Sequence, residues 1–147
     1  MIVLDTNVVS EMMKAAPNIS VRDWINRQDA TTLYITSITL SESLFGVAIL
    51  PTGKRRDALS ITLNGLLKLF AGKILPFDET AARCYAERAA QAQAAGNILP
   101  LADGYIAAIA AAHRFMVASR DTAPFQAAGV NIINPWKDGG KDIHAQR

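Results

Sequence analysis

Five short strand-like runs, at residues 2–4, 33–36, 74–77, 115–118 and 130–133, alternate along the chain with stretches of helical spacing. Strands that alternate with helices build a parallel sheet covered by helices on both faces, the three-layer α/β/α sandwich. The pattern therefore predicts one α/β domain over residues 1–136 with a central parallel sheet of about five strands. Residues 137–147 read as a frayed C-terminal tail, because Gly139-Gly140 and mixed charges replace the apolar pattern. Helices are expected at 8–14, 20–28, about 39–48, from 54 to about 70, after the cap residue Asp78 up to Gly96, and at 101–113, with a helical turn at 125–128. Val21, Trp24 and Ile25 share one helical face, so Trp24 reads as core.

The first run, Ile2-Val3-Leu4, ends abruptly on Asp5, followed by the cap-forming Thr6 and Asn7. A buried strand would thus carry an acid, a hydroxyl and an amide to one sheet edge. In open parallel sheets ligands bind outside the carboxyl ends of the strands, beside the point where strand order reverses. Three more acids fall at related places. Asp121 follows the fourth strand, Glu42 lies shortly after the second, and Asp103 opens the helix leading into the fourth. If the first and fourth strands are neighbours, Asp5 and Asp121 meet, and Glu42 and Asp103 can reach the same edge from flanking helices.

Such a convergence is costly. Two carboxylates about 5 Å apart repel by roughly 3 kcal/mol at an effective dielectric near 20, so a cluster needs protons or cations. An all-oxygen site suits Mg²⁺ or Mn²⁺. Each acid also has a purely structural role open to it. Asp5 can serve as a helix cap, Thr39 and Glu42 have capping-box spacing, Asp103 can answer a helix dipole, and Asp121 can cap the turn before Pro124. His113 and His144 fall at a helix end and in the tail, so no Ser-His-acid arrangement is present. Lys54-Arg55-Arg56 opens a helix, where the dipole prefers acids; the cluster reads either as a phosphate-binding surface or as a solvated charge run.

No uninterrupted apolar run is long enough to span a membrane, and Asp5 interrupts the place where a signal peptide would run apolar, so a cytoplasmic protein is expected. The single cysteine, Cys84, excludes an intramolecular disulfide and thiolate metal clusters. A net charge of +2 tolerates nucleic acid without requiring it. Alanines crowd 81–95 and 107–112, which suggests close helix packing or a subunit interface.

Leu4-Asp5-Thr6-Asn7, Ile38-Thr39 through Glu42 to Phe45-Gly46-Val47, Asp103 before Ile106-Ala107-Ala108-Ile109-Ala110, Ser119-Arg120-Asp121-Thr122 and Asn134-Pro135-Trp136 together resemble the PIN-domain ribonucleases. The similarity is to the VapC toxins of type II toxin–antitoxin modules and their FitB-like branch, and it runs from residue 2 to about 136. It implies an endoribonuclease with Mg²⁺ or Mn²⁺ at clustered acids, a homodimer, an RNA substrate and a small DNA-binding antitoxin as partner. By position, Asp5, Glu42 and Asp103 match the core acids, Asp121 the more variable fourth, and Thr6, Asn7 and Ser119 supporting polar positions. Ser43-Leu44 stands where the branch usually has Leu-Arg, and Pro124-Phe125 where Asp-Phe is common. Two rivals remain at this point: a PIN fold that binds RNA or protein without cutting, and an aspartate-based phosphotransfer protein. The latter would need a second aspartate in the first loop or a lysine closing a late strand, and the sequence has neither.

Overall fold

The computed structural model describes residues 1–137. The tail expected beyond Trp136, with His144, lies outside the described residues except for Lys137. Five strands form one sheet: β1 (Ile2–Leu4), β2 (Leu33–Thr36), β3 (Ile74–Leu75), β4 (Met116–Ala118) and β5 (Ile132–Ile133). Every pairing is parallel, and the order is β3-β2-β1-β4-β5. The chain thus builds outward from β1 to one side, then returns beside β1 and builds outward to the other. Order reverses between β1 and β4, which pair from Ile2↔Met116 to Leu4↔Ala118.

Side chains alternate across a strand, and β1 uses both faces. Ile2 and Leu4 join Val8, Val9, Trp24, Ile35 and Phe70 on one face; Val3 joins Ile106, Ala107, Ala110, Val117, Phe125 and Ile132 on the other. The helices are α1 (Thr6–Met12), α2 (Ile19–Arg27), α3 (Ser37–Ala48), α4 (Lys54–Leu69), α5 (Glu79–Ala94), α6 (Leu101–His113) and α7 (Ala123–Ala127). Among the described residues, none is long and apolar enough to cross a membrane.

Local chemistry moves several boundaries from their expected places. Helix α1 begins at Thr6 rather than Val8, because Asp5 is extended (ψ 162°) and its carboxylate caps the Thr6 N–H. Thr6 and Asn7 therefore lie in the helix rather than ahead of it. Helix α3 starts at Ser37, with Thr36 as its cap: the Thr36 hydroxyl accepts the Thr39 N–H at 3.1 Å. Thr39 is consequently inside the first turn and forms no capping box with Glu42. The edge strands β3 and β5 are two residues each, since each pairs with a single neighbour over two register positions. Helix α7 starts at Ala123, with Pro124 in its first turn where a missing N–H costs nothing. A short 3₁₀ turn at Ala30–Thr32, capped by Asp29, was not legible from apolar spacing.

The alanine-rich helices α5 and α6 pack along one another, with Ala81, Ala92, Ala107, Ala108 and Ala110 buried. Gly104 marks the tightest approach. A Cβ there would lie 2.9 Å from the Tyr85 ring and 3.3 Å from Leu99. Tyr85 is itself wedged against Tyr105 at 4.8 Å and Phe77 at 6.5 Å between ring centroids, so it has little room to yield. Gly104→Ala gains about 1 kcal/mol of helix propensity but overpacks this contact at a cost of about 1–3 kcal/mol. The expected result in a thermal melt is net destabilisation on the order of 1 kcal/mol, and a stabilised variant would show that the helices separate freely.

Candidate active site

Asp5 leaves the central strand at the reversal point and is 4% exposed. Its Oδ1 accepts the Thr6 N–H at 2.7 Å, and its Oδ2 accepts the Ser119 hydroxyl at 2.7 Å. Ser119 directly follows β4, so adjacent strand ends supply the acid and its donor. With its proton committed to Asp5, the Ser119 oxygen accepts from Asn7 Nδ2 at 3.1 Å and from the Asp121 N–H at 3.0 Å. Asn7 Oδ1 accepts the Arg120 N–H at 3.3 Å. This network fixes the turn after β4 against the first turn of α1.

Glu42 projects from α3 toward the same place. The Thr6 hydroxyl donates to its Oε1 at 2.6 Å, and the Thr39 hydroxyl lies 3.1 Å from that of Thr6. Since the Thr6 proton is committed to Glu42, Thr39 donates in this pair. The Thr39/Glu42 spacing thus serves a tertiary contact to α1. Asp103 sits in the first turn of α6, and Asp121 in the loop after Ser119. Asp121 caps nothing through its side chain; α7 has no side-chain cap.

The four acids line one open cleft of about 450 Å³, together with Thr6, Asn7, Ser10, Glu11, Lys14, Arg120 and Trp136. Burial holds the Asp5 carboxyl above its ordinary range, against the lowering effect of the Ser119 and Thr6 hydrogen bonds, and the charges of Glu42 and Asp121 add to the rise. Asp103 is pushed up to about 6, by burial first and then by Asp5, Asp121 and Glu42. Apart from Lys14, Arg120 and Trp136, the lining is carboxylates, hydroxyls and the Asn7 amide, with neither histidine nor cysteine, a donor set that suits a hard divalent cation. Among the described residues, no group of three or more His, Cys, Asp or Glu side chains is placed to hold one ion as it stands. The acids share the cleft without closing on a common point.

Lys54 and Arg55 are exposed at the start of α4, Arg56 is half-buried, and none of the three lines the cleft. The cations that do so are Lys14 and Arg120. Sequence reading missed both, as well as Glu11, which is buried on α1. Glu11 Oε2 accepts the Asn18 N–H and its Oε1 pairs with Lys14 Nζ, both at 3.0 Å. These bonds hold its carboxyl below the ordinary range, the Asn18 N–H contributing most. A Glu-Lys pair at i, i+3 followed by Asn18 was the available signal.

Residues 2–130 match the family described as PIN domain. The VapC ribonuclease Y4jK of Sinorhizobium fredii is 54% identical over 138 residues, which is 93% of this chain and 99% of that protein. Toxin FitB of Neisseria gonorrhoeae is 45% identical, over 94% of this chain and 100% of its own. The crystal structure of FitAcB from the same organism matches with a TM-score of 0.89 at 45% identity, over 93% of this chain and 99% of that one. A match over most of the length, carried by sequence and by fold alike, means that this chain belongs to the PIN-domain family, among its VapC and FitB members.

Proposed function

We propose that this chain is a metal-dependent endoribonuclease acting as the toxin of a type II toxin–antitoxin module. The observation that carries the reading is the meeting of Asp5, Glu42, Asp103 and Asp121, from four separate parts of the sequence, in one open cleft. The names of its relatives, a VapC ribonuclease and a toxin, support it. A member of the VapBC family of toxin–antitoxin systems and FitAB bound to a DNA fragment, both similar in fold, support a small DNA-binding antitoxin as partner. A homodimer is part of the same proposal, in keeping with the exposed apolar side chains of Leu44, Phe45 and Ile49 on and just after α3.

Asp5, Asp103 and Asp121 would hold Mg²⁺ or Mn²⁺, with Glu42 bound directly or through water. Mg²⁺ usually keeps several waters and needs only one or two carboxylates, so a closed protein cage is not required. When bound, the ion would supply an activated water and neutralise charge developing on the phosphodiester. The protein's part is orientation. Ser119 and the Thr6 N–H fix the Asp5 carboxylate, and the Thr6 hydroxyl fixes Glu42. Lys54, Arg55 and Arg56 are proposed as contacts to RNA phosphates beyond the cleft.

A PIN fold that binds RNA or protein without cutting is the second reading, favoured by the carboxylates' not closing on one point. The test is cleavage of structured RNA by the purified, partner-free chain. Cleavage in Mg²⁺ or Mn²⁺ that stops in EDTA is expected. Equal cleavage in EDTA overturns the metal mechanism, and binding without cleavage in every metal favours the second reading.

A further inference from the structure

A polyanion entering a cleft lined by carboxylates needs a cation to meet it, and only Lys14 and Arg120 among the lining residues carry one. Lys14 is committed to Glu11 at 3.0 Å. Arg120 forms no ion pair among the described residues, although it lines the same cleft as the acids. Its guanidinium lies instead over the Trp136 ring, 5.3 Å from the centroid, while the backbone N–H of Arg120 donates to Asn7 Oδ1. A long side chain next to so many carboxylates would ordinarily fold onto one of them. Here it lies over the indole in a cation–π contact, a modest attraction at an exposed site.

Trp136 is in turn fixed by its own loop. Asn134, 5% exposed, accepts the backbone N–H of Trp136 on Oδ1 at 2.9 Å, and the Ser20 hydroxyl donates to the Pro135 carbonyl at 2.8 Å, so the backbone that carries the indole is held. The indole also packs against the core that surrounds β1. The Asn134-Pro135-Trp136 motif therefore builds a platform at the rim of the cleft, and what it carries is a planar guanidinium fork that makes no ion pair among the described residues, with Glu11 near enough to feel its charge. Such a fork matches two oxygens of a phosphodiester.

We infer that Arg120 is the phosphate-binding residue of the cleft, taking a phosphodiester of the RNA strand beside the carboxylates, and that Trp136 is its positioning residue. The inference rests on the RNA-cleaving reading above. Its test uses the full chain in an Asp5→Asn background, so that binding is read without cleavage. Affinity for a short mixed-sequence single-stranded RNA is measured in Mg²⁺ across a salt series by fluorescence anisotropy. Adding Arg120→Ala should weaken binding about tenfold and make the log–log salt slope shallower by about 0.7, the loss of one phosphate contact to a single strand. Arg120→Lys should restore the slope but not the full affinity. Trp136→Ala should weaken binding and Trp136→Phe should rescue it, a pattern unlike a uniform loss of stability. Arg83→Ala, which removes an exposed charge paired with Glu79 on α5, serves as the charge control and should leave the slope unchanged. Parental affinity and slope in Arg120→Ala overturn the inference while RNA binding stands. Absence of RNA binding by the Asp5→Asn parent overturns the reading beneath it. If Trp136→Ala does not fold, the Arg120 variants and Trp136→Phe decide.

Discussion

Asp5→Asn is expected to lower RNA cleavage in Mg²⁺ by on the order of a thousandfold, with the fold intact. A metal site supplies several kcal/mol of stabilisation to a phosphoryl transition state, and each 1.36 kcal/mol is about a factor of ten in rate. Asp5 is the proposed ligand least able to be replaced by a neighbour, since it is buried and clamped on both oxygens. Asparagine keeps the shape and the contact of Oδ1 with the Thr6 N–H. Its amide nitrogen would face Ser119, whose hydroxyl can turn to the Asp121 carbonyl at 3.3 Å but whose oxygen already accepts from Asn7 and the Asp121 N–H, so this contact offsets part of what removing the charge gains. The substitution also removes a buried charge held above its usual protonation range. A melting temperature at or above that of the wild type in EDTA is therefore expected alongside the lost activity. Cleavage within tenfold of the wild type would remove Asp5 from the chemistry.

Asp5 was legible as the end of an apolar run, but a strand that stops on a carboxylate reads equally as a helix cap, which Asp5 also is for α1; the other three acids were needed to place it in a site. The order of the strands was legible only in part: alternation gives a parallel sheet, but the pairing of β1 with β4 depends on contacts more than a hundred residues apart. Glu42 shows why local pattern fails. Thr39-x-x-Glu42 has the spacing of a capping box, yet the helix starts three residues earlier with Thr36 as its cap, so Thr39 lies inside the first turn and Glu42 is left to meet Thr6. Lys54-Arg55-Arg56 drew the eye as a charge run, whereas the cations in the cleft are single residues separated in sequence, Lys14 and Arg120. Trp136 was visible as part of a motif, but its role as a support for Arg120 needs β4 and the loop after β5 to lie side by side.

Asp103→Asn separates a metal ligand from a helix-capping charge by the sign of its effect. The carboxyl is raised from 3.8 to about 6, so between those values the folded chain keeps a proton that the unfolded chain releases. Stability then falls as pH rises through this window and stays lower above it. A rise of that size corresponds to roughly 3 kcal/mol if fully expressed, and water on the open side of the cleft screens it to on the order of 1–2 kcal/mol. The nearly isosteric amide carries no such penalty. In EDTA the variant should melt close to the wild type near pH 4 and about 3–6 °C higher at pH 7. Mn²⁺ should reverse the ranking: a ligand at a hundred times its Kd stabilises the wild type by about 2.7 kcal/mol, and the variant, with one ligand weakened, should gain less. A charge that only answers the α6 dipole predicts the opposite. Its removal should cost about 0.3–1 kcal/mol at neutral pH and leave any response to Mn²⁺ unchanged. Melts of both proteins at the two pH values, with and without Mn²⁺, decide between them. A destabilised variant with an intact metal response would exclude Asp103 from the proposed site.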